Sequence, residues 1–574
     1  MAERVPEYSE KVFRWLSLAV IIVALCTILL HIFGYAAAGA VWDDAYMSIR
    51  YAHNVLAQGA IAWNGAVPTY GLTALALLIF SIPLVAIGMT PTAVAVLTSV
   101  LGALLVLVSI PFLLYSVIPS SESQIRRSVL ALAYAMIALN ADLFAQLAAS
   151  GMDTLLSIAY LAFYIGLAIR FSRTRAPSRT AIGGLGALGA FAYIFRPDLM
   201  IFSALVPLAI AVLSSNTTVR AAAWKVIGCS VVICTAILAV LFLYFDTPLP
   251  LPFYAKSGFL YGPTIGRILK FQPILELAGY VDSYKYLFLA LIAFVTWRWR
   301  TFFQRSENAV FVGIIAAAFI SLVYFLFFVL QVMGYAGRFY YPTLPALVVV
   351  FAIVIRELYL RFDGERARSQ VAIVISLIAL GALYSPFAWG LQQSAYTLVH
   401  KGASTKAAWQ SGVVAFYRSS SANETIWPCL DAYAALPNDA SIATTEVGLP
   451  SVMGLDKKII DLGGLNDTAT ILDHTPLFDR VLTEQVDFVY LPSQLDYPEM
   501  RSMLVGSAEF SHAYQIYSAQ SLNAAEDVAV RKDSPYAPAL RTCLDGIVAL
   551  HANDSKAAPT WNTGYQLSLP YPLM

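Results

Sequence analysis

GLTALALLIFSIPLVAIGMT, residues 71–90, is the stretch on which the topology turns. It is apolar enough to resemble a membrane crossing. Ser81 and Pro83 interrupt it, however, and only a GMTP turn separates it from the next apolar run. The surrounding charges decide how to read it. Arg4, Lys11 and Arg14 flank the start of the first run. Later basic loops hold Arg126 and Arg127, then Arg170, Arg173, Arg175 and Arg179, then Arg220 and Lys225. Two more hold Arg298, Arg300 and Arg305, and Arg356, Arg361, Arg366 and Arg368. Lys and Arg accumulate on the cytoplasmic side of membrane proteins. If 71–88 and 92–117 both crossed, every one of these later loops would lie on the wrong side. One early run therefore does not cross, and 71–88 is read as an outer interfacial or re-entrant helix.

Working outward from that segment, eleven spans remain: 12–34, 92–117, 129–147, 153–170, 180–195, 198–214, 222–245, 284–297, 309–332, 342–359 and 370–390. The alternative is twelve spans with weakly biased loops. The chain has 574 residues, of which 59% are hydrophobic and 12% charged. Its mean hydropathy is +0.69. A soluble domain is about a quarter charged, so this composition is that of a polytopic membrane protein. The net charge of +1 says nothing about partners, since what matters is where the charges sit, and no nucleic acid is expected as a partner. The first run is too long for a signal-peptide core and is read as a retained helix.

After residue 390 the long apolar runs stop. IATTEVGLPSV (442–452) reads as strand, turn and helix, KKIIDLGGLND (457–467) as strand and turn, and DFVYLPS (487–493) as a short alternating segment. The expected organisation is a helical membrane domain at 1–390 and a soluble α/β domain at 391–574. With the N-terminus cytoplasmic, eleven spans send that domain outside. Cys429 and Cys543 in it are then either one disulfide or two buried thiols. The five cysteines make no CxxC or His/Cys zinc pattern.

This topology gathers five polar motifs on the outer face: WDDAY (42–46), SGMD (150–153), RPD (196–198), LPFYAK (251–256) and GRFYYP (337–342). Ionisable groups at membrane depth are costly and point to function. The adjacent carboxylates Asp43 and Asp44 suit a general base or a divalent-metal ligand. A helix N-cap is the plainer reading of the same pair. Asp153 equally reads as a helix cap, and Arg196 and Asp198 as partners of each other. Arg196, Lys256 and Arg338 are sparse cations on a face poor in them, which suits a phosphate at headgroup level.

At these residues the chain resembles the GT-C glycosyltransferases, multispanning enzymes that use polyprenyl-phosphate sugars. The likeness is to the branch of the terminal arabinofuranosyltransferases of actinobacterial cell walls. It rests on DDAY followed by SIRYAHNVL, PTYGLT (68–73), SGMDT (150–154), the Arg196–Asp198 turn, PLPLPFYAK (248–256), RFYYPTLP (338–345) and DLGGLND (461–467). Two departures stand out. Leu251-Pro252 replaces the branch's Asn-Thr, and Asp153 replaces a glutamate.

The resemblance implies a GT-C-like membrane domain in a bacterial plasma membrane. It also implies a polyprenyl-phosphate-linked sugar donor, an envelope glycan or lipid acceptor, and inversion at the anomeric carbon. An Asp of the 43/44 pair would be the base, and Lys256, Arg338 and Arg196 would hold the donor phosphate. Tyr46, Arg50, Asp153, Asp198, Tyr254 and Tyr340 would contact substrate. A divalent cation (Mg or Ca) on Asp43 and Asp44 stays open. Trp427, Tyr433 and Trp561 are either core aromatics or sugar-stacking platforms. The rival readings are a lipid-linked-sugar transporter, which usually shows repeated halves, and a non-catalytic scaffold.

Overall fold

The computed structural model describes residues 4–38, 41–256, 267–297, 308–331, 337–362, 364–396, 427–494, 496–522, 524 and 526–552. Trp561 lies outside these residues. The first ten helices are α1 (Arg4–Ala38), α2 (Ala45–Gln58), α3 (Leu75–Ala86), α4 (Pro91–Val117), α5 (Ser123–Leu139), α6 (Ala141–Ala149), α7 (Thr154–Arg173), α8 (Arg179–Phe195), α9 (Met200–Leu213) and α10 (Thr217–Phe245). Arg267–Ser283, Lys285–Trp297, Ala309–Phe327, Leu344–Tyr359 and Glu365–Tyr396 follow.

Local sequence sets several of these boundaries. The Thr90 hydroxyl accepts the Ala93 amide at the start of α4, with Pro91 at its first position. Asn216 caps α10 by accepting from Thr218 and Val219. In the stretch that decides the topology, α3 is only 12 residues long. That is about 18 Å of helix against a hydrocarbon core of about 30 Å. It packs beside α2 and α4.

Among the described residues, seven helices are long and apolar enough to cross a membrane, or nine if two bent pairs each count as one span. This is fewer than the eleven read from the sequence. The remaining two expected runs are Arg179–Phe195 and Pro197–Leu213, which are apolar but short. The run at 129–147 is not a straight helix. It bends by 73° between Leu139 and Ala141, and Arg267–Ser283 meets the next helix through a bend of 87°.

The soluble part is a five-stranded mixed sheet of order β2-β1-β3-β5-β4. Its strands are β1 (Ser441–Thr444), β2 (Lys458–Asp461), β3 (Phe488–Tyr490), β4 (Tyr514–Tyr517) and β5 (Val528–Arg531). β1 runs parallel to β2 and β3, with Ile442 opposite Ile459 and Phe488. β5 is antiparallel to β3 and β4. A disulfide joins Cys429 to Cys543, tying the start of this part to its last described helix, Ala537–Ala552. Trp427 and Tyr433 are buried against Tyr490 and Phe488, which makes them core rather than platforms.

The sheet is fastened to the segment between α1 and α3. Arg50, which was expected to meet substrate, is 1% exposed. Its guanidinium donates to the Trp63, Ser451, Gly454 and Lys457 carbonyls and to Asn64 Oδ1, at 2.6–3.1 Å. Trp63 Nε1 donates to the Ile459 carbonyl, and Tyr51 donates to Asn466 Oδ1. Arg50 is therefore a docking residue. Each such bond to a charged donor contributes roughly 1.5–3 kcal/mol.

Candidate active site

At the bundle end that carries the sheet, the five motifs meet. The Trp42 amide donates to the Ser150 carbonyl at 2.9 Å, which joins WDDAY to SGMD. Gly151 makes this possible. It has φ +78°, and a Cβ there would lie 2.5 Å from the Ala45 Cβ. LPFYAK is held through Leu251, whose amide donates to the Tyr70 carbonyl. GRFYYP is held through Gly337, whose amide donates to Glu276 Oε2 at 2.6 Å.

Three cations converge on one ring. Arg338 Cζ, Lys256 Nζ and Arg196 Cζ lie 5.3, 5.6 and 5.9 Å from the Phe339 centroid. Arg196 donates to Asp198 Oδ1 at 2.9 Å and lies 3.8 Å from Asp153 Oδ2. Arg338 donates to Asp44 Oδ2 at 3.1 Å. Burial, with Arg338 as a like charge, pulls the Lys256 ammonium down to about 8, while Asp44 opposes the shift. Asp198 Oδ2 is buried without a hydrogen-bond partner among the described residues. Guanidinium and ammonium groups gathered in this way suit an anion such as a phosphate.

The two adjacent aspartates differ. Asp44 and Asp153 each precede a helix, yet neither side chain makes a capping hydrogen bond. Asp44 turns to Arg338. Asp43 turns to the soluble part, where its oxygens accept the Gly448 and Leu449 amides at 2.8 and 2.7 Å. Burial first, then Asp44, lifts the Asp43 carboxyl to about 7 against the pull of those amides. Gly448 is needed for this approach, because a Cβ there would sit 1.9 Å from the Asp43 carbonyl oxygen.

Tyr46 and Tyr340, expected at the substrate, are both 0% exposed. Tyr340 donates to the Pro273 carbonyl and accepts from Gln331, and Tyr46 lies 3.4 Å from the Thr92 hydroxyl. They pack the motif turns rather than face outward. Tyr254 is partly exposed and shares a hydrogen bond with Thr247. The motif reading passed over Phe339 and Glu276. Phe339 lay inside a quoted motif. Nothing in the sequence separates Glu276 from ordinary surface glutamates.

Among the described residues, no three His, Cys, Asp or Glu side chains form a group able to hold a metal ion. The oxygens of Asp43 serve amides and Asp44 serves Arg338, so the pair does not fit a preformed cation site.

No family model and no curated protein matches this sequence. Solved structures do match. ArnT from Cupriavidus metallidurans bound to undecaprenyl phosphate superposes with a TM-score of 0.52 at 11% identity, covering 90% of this chain and 98% of ArnT. ArnT in the apo state gives 0.51 at 12% identity, covering 91% and 99%. The archaeal oligosaccharyltransferase AglB from Archaeoglobus fulgidus gives 0.42 at 11% identity, covering 91% and 75%. The chain is a polytopic α-helical membrane protein with a C-terminal soluble α/β region, and it shares its fold with ArnT over nine-tenths of its length.

Proposed function

We propose that this chain is an inverting membrane glycosyltransferase that moves a sugar from a polyprenyl-phosphate donor to an envelope glycan or lipid. The observation that carries the proposal is the cation cluster of Arg196, Lys256 and Arg338 around Phe339, with the Asp43–Asp44 pair beside it. A phosphate monoester leaving group requires cationic stabilisation and no strong acid. The bound undecaprenyl phosphate of ArnT is a lipid phosphate of that class.

The donor phosphate sits on the three cations. The base must act from the other face of the anomeric carbon. Asp43, turned toward the soluble part and held near 7, suits that role. Each of its oxygens keeps a lone pair beyond the one that accepts an amide. It takes the proton of an acceptor hydroxyl, and that oxygen attacks the anomeric carbon. The bond to the phosphate oxygen breaks, and its electron pair stays on the phosphate. Asp44 orients Arg338 and competes with the phosphate for it.

The motif resemblance makes arabinofuranose the first sugar to test. The basic loops put the N-terminus in the cytoplasm and the disulfide-bonded soluble domain, 391–574, outside a bacterial plasma membrane, where disulfides persist. The test is sugar transfer in proteoliposomes from a lipid-linked donor, beginning with decaprenyl-phosphoryl arabinofuranose. Wild-type transfer with none by Asp43→Asn supports the reading. Equal transfer by the two proteins removes it.

A further inference from the structure

PTYGLT (68–73) of the membrane part and DLGGLND (461–467) of the soluble part meet in one buried chain of hydrogen bonds. Asp461 is buried, and its Oδ2 accepts both the backbone amide and the side-chain Nδ2 of Asn466, at 2.9 and 2.8 Å. With its nitrogen turned to the carboxylate, the Asn466 side chain presents its oxygen to the membrane part. That oxygen accepts the Tyr51 hydroxyl at 2.8 Å, and the Tyr51 oxygen in turn accepts the Gly71 amide at 3.1 Å. Every donor in the chain points toward Asp461, and Tyr51 and Asn466 are both buried. Position 71 must be glycine, because a Cβ there would lie 2.0 Å from Asn466 Oδ1 and 2.3 Å from the Tyr51 oxygen.

The chain leads on to the cations. Tyr70, the neighbour of Gly71, gives its carbonyl to the Leu251 amide at 2.8 Å. Leu251 opens the short helix Leu251–Tyr254, and Lys256 follows at its end. The first amides of a helix have no partner within it, so the Tyr70 carbonyl fixes where this segment begins. Leu251 and Ala255 are fully buried in one apolar cluster with Ile460 and Leu462, the residues on either side of Asp461. Five residues span roughly 7.5 Å of helix. A shift at Leu251 is therefore passed to Lys256, whose Nζ lies 5.6 Å from the Phe339 ring. Arg50 already fastens the two parts through the Trp63 segment. The bonds through Tyr51 fix a different loop, the one on which the Lys256 segment rests.

We propose that Tyr51 and Asn466 are positioning residues for Lys256, through which the soluble domain sets the phosphate site of the membrane part. This rests on the reading of the three cations as the donor-phosphate site. It adds that the site is complete only with the soluble domain docked. The same docked domain holds Asp43 through the Gly448 and Leu449 amides, so base and phosphate site are assembled together.

The experiment measures undecaprenyl-phosphate binding to the full chain in nanodiscs. Tyr51→Phe removes one oxygen and keeps the ring beside Trp63. It should weaken binding about three- to tenfold, the worth of one buried hydrogen bond, and Asn466→Ala by a similar factor. The two together should cost little more than either alone, because they interrupt one chain. In a Lys256→Met background, Tyr51→Phe should change affinity by less than about twofold. A residue that only supported the fold would weaken binding there as much as in the wild type. Equal losses in the two backgrounds overturn the proposal, and so does undiminished affinity in Tyr51→Phe. If Asn466→Ala does not fold, the Tyr51 and Lys256 variants decide alone. A wild type that binds no undecaprenyl phosphate removes the phosphate site and this proposal with it. A wild type that binds the lipid yet transfers no sugar counts against the transferase reading and leaves the positioning role standing.

Discussion

Asp43 and Asp44 are chain neighbours that belong to different halves of the molecule. Asp43 is bonded to backbone amides of the soluble part, whereas Asp44 is bonded to a guanidinium of the membrane part. On the amide side, burial raises the carboxyl's proton affinity against the pull of the two amides. The guanidinium side gathers three cations within about 6 Å of one ring. The comparison teaches that a two-residue motif serves both ends of a displacement. One carboxylate accepts a proton, and the other keeps a phosphate-binding arginine in place.

The sharpest way to break this division is to neutralise each aspartate alone. Asp43→Asn should lower kcat by about 10²–10⁴, the range supplied by general base catalysis. Asp44→Asn should cost less, about tenfold, by loosening Arg338. It should also leave undecaprenyl-phosphate affinity equal or higher, since a competitor for the arginine has gone. Turnover measured side by side decides the matter. A larger loss at Asp44 than at Asp43 would reverse the assignment.

The cation side is tested next. Lys256→Met or Arg338→Lys should weaken undecaprenyl-phosphate binding by about 10- to 100-fold, the worth of one or two charge-assisted hydrogen bonds. An unchanged lipid-phosphate affinity in both variants would show that the cluster does not hold the phosphate.

The two sides should also be visible in one pH profile. Below about 7, Asp43 carries a proton and cannot take another. Above about 8, Lys256 loses its charge. kcat/KM should therefore rise by about tenfold per pH unit on the acid side, peak between these values and fall on the basic side. The basic limb should move to higher pH once the anionic donor is bound, because the phosphate favours the charged ammonium. In Lys256→Met the basic limb should vanish while the acid limb stays. A basic limb that survives this substitution belongs to another group.

Much of the architecture was legible because it rests on local periodicity and charge. Ser81, Pro83 and the basic loops were enough to read 71–88 as a helix that does not cross, and α3 is too short to do so. The 442–444 and 459–461 runs became β1 and β2 because short β-branched runs, with Ile442, Thr444, Ile459 and Ile460, end in turns there. What stayed hidden depends on distant partners. No local pattern marks Arg50 as an arginine whose five hydrogen bonds all go to protein oxygens, three of them about 400 residues away. The break at Asn140 has no proline or glycine to announce it. Cys429 and Cys543 are 114 residues apart, so their pairing follows from the fold and not from spacing. The three cations were visible one by one. That they share Phe339 was not, because they come from three loops.

The smallest expected effect tests whether that shared ring is held in place from outside. Glu276 is 7% exposed and accepts the Gly337 amide at one oxygen and Gln272 at the other. Gly337 carries Arg338 and Phe339 directly after it, so Glu276 sets where the cation turn begins. Glu276→Gln can still accept at its carbonyl oxygen but loses one of the two acceptors. It should weaken undecaprenyl-phosphate binding by about threefold and leave the pH limbs where they are. Glu276→Ala leaves a buried amide unpaired, a cost of about 1–3 kcal/mol. It should lower Tm as well as affinity. An effect of Glu276→Gln as large as that of Arg338→Lys would mean that Glu276 does more than position the turn, and the boundary between the two sides would have to be drawn one helix further out.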